Sequence, residues 1–284
     1  ATTRTSSRPI RVGAMAVGEH SFWPYTWGDL LAPDAPPIGA GKLGTALFDM
    51  EITHVWDVDP EAAQSFARKV GAEPVERYDG MVGKVDAVAF GGYYEVPWQH
   101  RLARPYVEAG IPTSLSRPFT YSLRDIDSLL DLAARHSTPI MATDIYEHLY
   151  TATTFKAQAA RVGEIQSVHG SCLCHEYPAL FHTPYLMFRV FGTDIERMAL
   201  VTDNPNRSAY LAATYIYRET DSHPSFPATI TMTPDGDLYT LSVLGSDGVE
   251  RSRLPVFADH ADDLLVHHVP MLTAMQRTDR KSVV

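Results

Sequence analysis

The chain has 284 residues, 45% hydrophobic and 20% charged, which is the composition of a folded globular protein. Its formal net charge of −10 argues against nucleic-acid binding, because phosphate contacts need clustered lysine and arginine. The sequence also lacks an apolar run of the roughly 18 residues that a membrane span needs. We therefore expect no nucleic-acid or membrane partner, and a small molecule instead.

The chain is longer than one usual hydrophobic core requires, so two domains are expected. Its two cysteines, Cys172 and Cys174, are separated by one residue, a spacing on a strand that does not favour a disulfide. Residues 1–8 are polar and do not resemble an export signal. These features predict a reduced, cytoplasmic setting.

The first half of the sequence alternates buried strands with amphipathic helices. Strands are predicted at residues 10–17, 51–58, 85–90, 111–115 and 139–143, and helices at 60–70, 98–109 and 123–136. Strands that alternate with helices imply right-handed crossovers and a parallel sheet. Ligands of such a sheet bind at the carboxyl ends of its strands.

The turn after the first strand carries a degraded dinucleotide-binding pattern. Residues 16–21 read Ala-Val-Gly-Glu-His-Ser where the full pattern is Gly-x-Gly-x-x-Gly, so only the middle glycine, Gly18, is kept. That glycine lets the backbone approach a pyrophosphate. Asp57, at the end of the second strand, is the acid that would bind an adenosine ribose.

Residues 21–44 form a turn-rich aromatic insertion after this first turn. The segment contains Trp23, Tyr25 and Trp27 among several prolines and glycines. We expect it to be a binding loop or lid over the ligand cleft, with Trp23 contacting the substrate. A surface excursion without function is the alternative.

The order of features from Thr53 to Tyr150 resembles the Gfo/Idh/MocA oxidoreductase family. The features are Asp57, the strand at 85–88, His100, the Glu-Ala-Gly sequence at 108–110 and the Ser-Arg-Pro sequence at 116–118. The resemblance implies an NAD-binding Rossmann domain over residues 1–145. Gly91 and Ser116, which follow the third and fourth predicted strands, complete its expected cofactor residues with Gly18 and Asp57.

Two family signatures are altered in this chain. The family usually has Glu-Lys-Pro where this sequence has Ser-Arg-Pro, so Arg117 replaces the lysine near the sugar hydroxyl. The family also places an aspartate four residues before a histidine on a helix that ends in glycine. His182 and Gly192 keep that spacing, whereas Pro178 replaces the aspartate and Tyr185 replaces a second one.

These substitutions change the expected chemistry. Arginine stays protonated, so Arg117 cannot be the base that alcohol oxidation needs, but it can hold a carboxylate or polarise a carbonyl. His182 becomes the acid–base candidate because histidine titrates near neutral pH, and Tyr185 could assist through its hydroxyl. The alternative for His182 is a capping or packing role within its helix.

Further polar residues follow the last Rossmann strand. Tyr146, His148 and His175 are predicted to contact substrate. Glu147, His148, His175, Glu176 and His182 could also ligate a divalent metal, although their spacing is not a recognised ligand motif. We expect a polar sugar pocket without a metal.

Residues 146–284 are predicted to form a second α/β domain with an open, mainly antiparallel sheet. A short helix is expected at 154–161, a strand entry at 163–168, later strands at 211–218, 228–233, 238–245 and 250–254, and a final helix at 259–275. The family resemblance implies that such open sheets pair into homo-oligomers.

Three functions remain open. The first is an enzyme that acts on a sugar, sugar acid or polyol with NAD, which is expected over NADP because Asp57 would repel a 2′-phosphate. The second is a carbohydrate lyase or hydrolase without a nicotinamide cofactor, which uses His182 and Tyr185 on a uronate held by Arg117. The third is a non-catalytic sugar-binding protein.

Overall fold

The computed structural model describes residues 9–18, 21, 50–92, 96–116, 118–142, 150–173, 182–202, 211–221, 223–233 and 240–253. These residues belong to two compact units, one before residue 144 and one after residue 143. None of the helices in these ranges combines the length and hydropathy needed to span a membrane. Most of the predicted lid, after Ser21, and the predicted final helix at 259–275 lie outside the described residues.

The first unit contains a six-stranded parallel sheet. Its strands are β1 (Ile10–Met15), β2 (Met50–Trp56), β3 (Glu73–Pro74), β4 (Ala87–Phe90), β5 (Thr113–Leu115) and β6 (Ile140–Ala142). Their spatial order is β3-β2-β1-β4-β5-β6. This order reverses the winding direction between β1 and β4, which makes the carboxyl ends of these two strands the expected ligand crevice.

Three helices connect the strands of the first unit. They are α1 (Pro60–Val70), α2 (Gln99–Glu108), which follows a 3-10 turn at Val96–Trp98, and α3 (Leu123–His136). Asp59 caps the start of α1, where its carboxylate accepts a hydrogen bond from the Glu61 N–H, and Gly71 caps the end with a φ of 74°. Helix α3 begins at the capping Ser122. The sequence predicted all three helices because their end signals are local.

The core of the first unit lies between the sheet and helices α2 and α3. Phe90 on β4, Tyr106 on α2 and Leu129 on α3 are all buried in one hydrophobic cluster. The Tyr106 hydroxyl donates a hydrogen bond to the carbonyl of Tyr78, and burial raises the pKa of this phenol above its usual range. This packing holds the second half of α2 against the sheet.

The second unit is a six-stranded mixed sheet with two helices. The strands are β7 (Ile165–Leu173), β8 (Ile195–Thr202), β9 (Leu211–Tyr217), β10 (Phe226–Thr233), β11 (Thr240–Gly245) and β12 (Gly248–Arg253), and the helices are α4 (Tyr150–Ala159) and α5 (His182–Phe191). The spatial order is β12-β11-β7-β10-β9-β8, and the pairs are antiparallel except for β7 with β10. The predicted fold class, a Rossmann-type parallel sheet followed by an α/β domain with a mainly antiparallel sheet, is confirmed.

The sequence did not predict β8. This strand lies at the edge of the sheet, and Glu196 through Val201 are exposed on both of its faces. A strand exposed on both faces lacks the alternation of apolar and polar residues that identifies a half-buried strand. Helix α4 also begins about one turn earlier than the predicted residue 154, and it buries Ala152, Phe155 and Ala159.

Aromatic rings fix the carboxyl end of α5 on this sheet. Tyr217 stacks on Phe226 with ring centroids 4.7 Å apart, and Phe191 of α5 meets their edges at 6.4 and 5.9 Å. The phenol of Tyr217 is fully buried, and this burial raises its pKa above the usual range. The helix that begins at His182 is therefore firmly packed at its far end.

Candidate functional site

The four predicted cofactor residues lie beyond the carboxyl ends of four adjacent strands. Gly18 follows β1, Asp57 follows β2, Gly91 follows β4 and Ser116 follows β5. Carboxyl ends of parallel strands share one edge of a sheet, so these residues line the edge where open α/β sheets bind ligands. The Gly91 N–H donates to the Met15 carbonyl at 3.1 Å, which joins the β4 end to β1.

Asp57 holds the turn after β1 with its carboxylate. One oxygen, Oδ2, accepts hydrogen bonds from the N–H groups of Val17 at 2.6 Å and Gly18 at 2.9 Å, and Oδ1 accepts one from the Asp59 N–H at 2.8 Å. The side chain is only 7% exposed, and these donors compensate its buried charge. A carboxylate has about four acceptor positions, so these bonds leave capacity on Oδ1 for a ligand hydroxyl.

Ala16 adopts the backbone conformation that the first glycine of the dinucleotide pattern would adopt easily. Its φ is 56°, in the left-handed region, and its N–H donates to the Trp56 carbonyl at 2.9 Å. This conformation costs an ordinary L-residue about 1–2 kcal/mol. The tight turn is therefore formed with alanine in the glycine position.

Gly18 has room around it that the described part of the protein does not fill. A Cβ built on Gly18 would lie 3.5 Å from Asp57 Oδ2 and 3.8 Å from Ala62 Cβ, both ordinary contacts. Its φ is also not positive. Neither its backbone conformation nor its described neighbours require a glycine here. In the dinucleotide pattern, the glycine at this position allows a ligand to approach the backbone closely.

Ser21 closes the turn where the third glycine of the pattern would stand. Its N–H and its hydroxyl both donate to the Gly18 carbonyl, at 3.0 and 2.8 Å. Ser21 also forms an antiparallel bridge with Gly92, which lies just beyond β4. The turn is thereby tied across the crevice between β1 and β4.

Gln99 lies at the same edge of the sheet, and the sequence did not indicate this residue. This first residue of α2 is fully buried, and its Nε2 donates to the Gly92 carbonyl at 3.3 Å while its Oε1 accepts from the Ser116 N–H at 2.9 Å. The Ser116 hydroxyl is buried and has no hydrogen-bond partner among the residues that the structure describes. A polar residue on the first turn of a helix after a β strand was the signal available in the sequence.

The second unit places His182 and Tyr185 on one helix. His182 is the first residue of α5 and is 6% exposed, and Tyr185, half-buried, follows almost one turn later on the same side of the helix. The ring of Tyr185 lies 6.1 Å from that of Phe188. Gly192 follows the helix with a φ of 87°, which is the predicted stop.

The start of α5 is pinned to β7 by the neighbour of His182. Thr183 is fully buried, and its hydroxyl donates to the Ser171 carbonyl at 3.3 Å. A Cβ built on Gly170 of β7 would lie 3.0 Å from Thr183 Cγ2, so glycine allows this close approach. The position of His182 therefore depends on the contacts of Thr183 with β7.

The remaining predicted site residues lie outside the described residues. They are Trp23, Arg117, Tyr146, His148 and His175. Their convergence with His182 stays a prediction. Within the described ranges, no group of three or more histidine, cysteine or acidic side chains could hold a metal ion, but Glu147 and Glu176 are also outside those ranges.

Most of the first unit is similar to a known family. Residues 38–143 match the GFO_IDH_MocA family model, described as an oxidoreductase family with an NAD-binding Rossmann fold. A search of curated protein sequences found no match to this chain. The matched range includes Asp57, Gly91 and Ser116, whereas Val17 and Gly18 of the turn after β1 precede it.

Solved structures share the fold over nearly the whole chain. The WlbA dehydrogenase from Chromobacterium violaceum, in complex with NADH and UDP-GlcNAcA, has a TM-score of 0.75 at 14% identity, covering 100% of this chain and 89% of that one. The apo scyllo-inositol dehydrogenase from Lactobacillus casei has a TM-score of 0.73 at 12% identity, covering 98% and 91%. An oxidoreductase from Agrobacterium radiobacter in complex with NAD+, L-tartaric acid and magnesium has a TM-score of 0.71 at 12% identity, covering 95% and 88%. Identities this low establish the fold alone.

Proposed function

We propose that this chain, whose residues 38–143 match the model of the Gfo/Idh/MocA oxidoreductase family, is an NAD-dependent enzyme that oxidises or reduces a sugar, sugar acid or polyol. The observation that carries the proposal is the turn after β1, where Asp57 organises the backbone at Gly18 and retains an acceptor position. In this proposal the first unit, within residues 1–145, holds the cofactor. The second unit, within residues 146–284, holds the substrate.

The residues at the strand ends fit a dinucleotide. Gly18 leaves space for a pyrophosphate beside the backbone, and the Oδ1 atom of Asp57 can accept from a ribose hydroxyl. Gly91 and Ser116 lie farther along the same edge, where the nicotinamide half would bind. When bound, the cofactor supplies the hydride acceptor or donor, and the chain supplies binding and orientation.

NAD is proposed over NADP. The buried carboxylate of Asp57 can accept from a free ribose diol, whereas it would repel a 2′-phosphate. Titration of the purified protein with each nucleotide, followed by tryptophan fluorescence, tests this preference. Tighter binding of NAD supports the proposal, tighter binding of NADP contradicts the role of Asp57, and binding of neither at millimolar concentration contradicts the redox function.

The acid–base step is assigned to His182. With NAD bound, the cofactor would supply the hydride acceptor for an alcohol substrate, and His182 would take the hydroxyl proton. Arg117 would hold a carboxylate or the developing carbonyl, and Tyr185 would assist through its hydroxyl. Arg117→Ala is therefore expected to raise KM for an acidic sugar with a smaller effect on kcat.

The substrate class is supported by the structural neighbours. One was solved with UDP-GlcNAcA and another with L-tartaric acid, both of which carry hydroxyl and carboxylate groups. Tyr146, His148, His175 and Trp23 are the proposed substrate contacts. A panel of polyols, sugars and sugar acids, assayed by NADH absorbance, identifies the class that reacts.

A cofactor-independent lyase or hydrolase is the second candidate. It is favoured by Arg117, which stands where the family has a lysine and cannot act as a neutral base. In this case His182 and Tyr185 would carry out proton transfer on a uronate. Release of an unsaturated or hydrolysed product without any change in nicotinamide absorbance would select this function.

We also propose that the open sheet mediates homo-oligomerisation. Edge strand β8 exposes Met198, Leu200 and Val201, at 62%, 56% and 66%. Exposed apolar groups on an edge strand are a common pairing surface. Light scattering after size exclusion should show more than one copy, and Leu200→Lys should shift the protein toward the monomer.

A further inference from the structure

The buried glutamine at the start of α2 makes contacts that a packing residue would not need. Gln99 is fully buried, and an apolar side chain of its length would be easier to bury there than an amide. Its amide group contacts the backbone of two different segments, Gly92 after β4 and Ser116 after β5. The hydrogen bonds of Gln99 to Gly92 and Ser116 therefore explain why an amide is buried at this position.

The two backbone groups lie beyond the ladder between their strands. The β4–β5 pairing runs through Val88 with Thr113 and Ala89 with Ser114. Gly92 and Ser116 follow the last of these pairs, where no ladder bond between the two strands holds them together. Beyond the last β4–β5 pair, the side-chain amide of Gln99 connects the two strand ends, in place of backbone hydrogen bonds between them.

Gly92, which accepts from Gln99, also contacts the turn after β1. Gly92 forms the bridge with Ser21, whose N–H and hydroxyl bind the Gly18 carbonyl. Asp57 and Ser116, on opposite sides of the switch point, are thus linked by hydrogen bonds between backbone groups and the side chains of Asp57 and Gln99. Ser116 also has the buried hydroxyl without a partner among the described residues.

We propose that Gln99 is a positioning residue for the nicotinamide half of the cofactor, because it fixes the strand end that carries Ser116. The inference rests on the proposed NAD-dependent function. In a doubly wound sheet, a dinucleotide crosses the switch point with its adenosine half on one side and its nicotinamide half on the other. Gln99 contacts the β4 and β5 ends, on the side away from Asp57.

The test compares NAD+ with ADP, which has the adenosine half only. Gln99→Met keeps the length of the side chain and removes both hydrogen bonds. We expect it to weaken NAD+ binding by about tenfold, the size of one or two lost hydrogen bonds, and to leave ADP binding within about twofold. Amide hydrogen exchange of the Ser116 N–H, measured without nucleotide, should become faster.

Gln99→Glu gives an independent signature. A carboxylate can accept from the Ser116 N–H but cannot donate to Gly92, whereas the protonated acid can do both. The affinity of this variant for NAD+ should therefore approach that of the wild-type protein as pH falls. The ratio of the NAD+ dissociation constants of Gln99→Glu and wild type, measured at each pH, removes the pH dependence that both proteins share.

The matched control is Thr138→Val, which removes a hydrogen bond from the hydroxyl of Thr138, just after α3, to the opposite end of α2. Thr138 is also buried, and its hydroxyl donates to the Val107 carbonyl at 2.7 Å. This variant loses a comparable hydrogen bond far from the strand ends, so both nucleotides should bind as they do to wild type. If Thr138→Val weakens NAD+ binding equally, general destabilisation explains the effect and the proposal fails.

The outcomes separate this inference from the proposed function. If the wild-type protein binds NAD+ and Gln99→Met binds it equally well, the positioning role is wrong and the proposed function stands. Equal weakening of ADP and NAD+ also contradicts the positioning role. If the wild-type protein binds neither nucleotide, the proposed function itself fails. Should Gln99→Met not fold, the pH series with Gln99→Glu decides.

Discussion

The turn after β1 and the start of α5 hold their candidate functional groups in different ways. In the turn, the carboxylate of Asp57 itself makes the contacts that shape the backbone. At α5, Thr183 and Gly170 fix the helix beside His182. Substitution of Asp57 should therefore reduce both the stability of the first unit and its binding of NAD. Substitution of His182 should reduce turnover with little change in stability.

The largest expected effect is on turnover when His182 is removed. His182→Ala should lower kcat by roughly 10²-fold or more, the size of general acid–base help, while the protein stays folded. The helix start remains held by Thr183, so the circular dichroism spectrum should be unchanged. Steady-state kinetics on the reactive substrate of the panel measures the loss.

Tyr185→Phe is the matched control for His182→Ala. It keeps the ring beside Phe188 and removes only the hydroxyl, so we expect a smaller loss of kcat. Wild-type turnover in the His182→Ala protein would contradict the catalytic assignment and leave His182 as a packing residue.

The second largest effect combines binding and stability at Asp57. Asp57→Ala leaves the N–H groups of Val17, Gly18 and Asp59 without their acceptor, so the free energy of unfolding should fall by about 2–4 kcal/mol. NAD binding should weaken by about tenfold or more, because a hydrogen bond to a charged group is lost. Urea denaturation and fluorescence titration measure the two effects.

Asp59→Ala provides a control two residues away. Asp59 caps α1 through the Glu61 N–H, so its loss should cost about 1 kcal/mol of stability without changing NAD affinity. If Asp57→Ala loses NAD affinity but no stability, the carboxylate does not hold the turn in solution.

The sequence predicted elements whose signals are local. The ends of α1 follow from Asp59, Pro60 and Gly71, and Asp57 was identified because it follows an apolar strand. Edge strand β8 was missed because exposure on both faces removes the alternating pattern. Its detection requires the neighbouring strand β9, which is a tertiary contact.

The candidate site was predictable only in part, because some of its contacts join residues that are distant in the sequence. The role of Gln99 depends on the positions of Gly92 and Ser116 in space, and no spacing rule connects these residues. The left-handed backbone of Ala16 was also not predictable, because alanine rarely adopts it. Strand-end residues follow from topology, whereas the contacts that orient them follow from packing.

A smaller effect is expected at the start of α5. Thr183→Val keeps the side-chain volume and removes the hydrogen bond to the Ser171 carbonyl, at a cost of about 1 kcal/mol in stability. If this contact positions His182, kcat should fall severalfold while the NAD affinity of the first unit stays unchanged. Equal losses in kcat and NAD affinity would show that a change at α5 is not confined to the second unit.

The smallest effect is expected at Ala16, where the left-handed backbone and the buried methyl group oppose each other. Ala16→Gly should relieve about 1–2 kcal/mol of backbone strain. Glycine loses about 0.5–1 kcal/mol more chain entropy on folding, and removal of the buried methyl costs about 0.8 kcal/mol. These contributions nearly cancel, so the midpoint of urea denaturation should hardly move.

Ser137→Gly isolates the strain contribution, because Ser137 has a φ of 52° at the end of α3 and an exposed side chain. It should stabilise the protein by about 0.5–1 kcal/mol, since no buried methyl is lost. NAD affinity should stay within about twofold in both variants, because the turn already has the glycine-like conformation at Ala16. A large gain in NAD affinity in Ala16→Gly alone would show that alanine keeps this turn from the binding conformation, and that the contacts of Asp57 do not suffice to hold it.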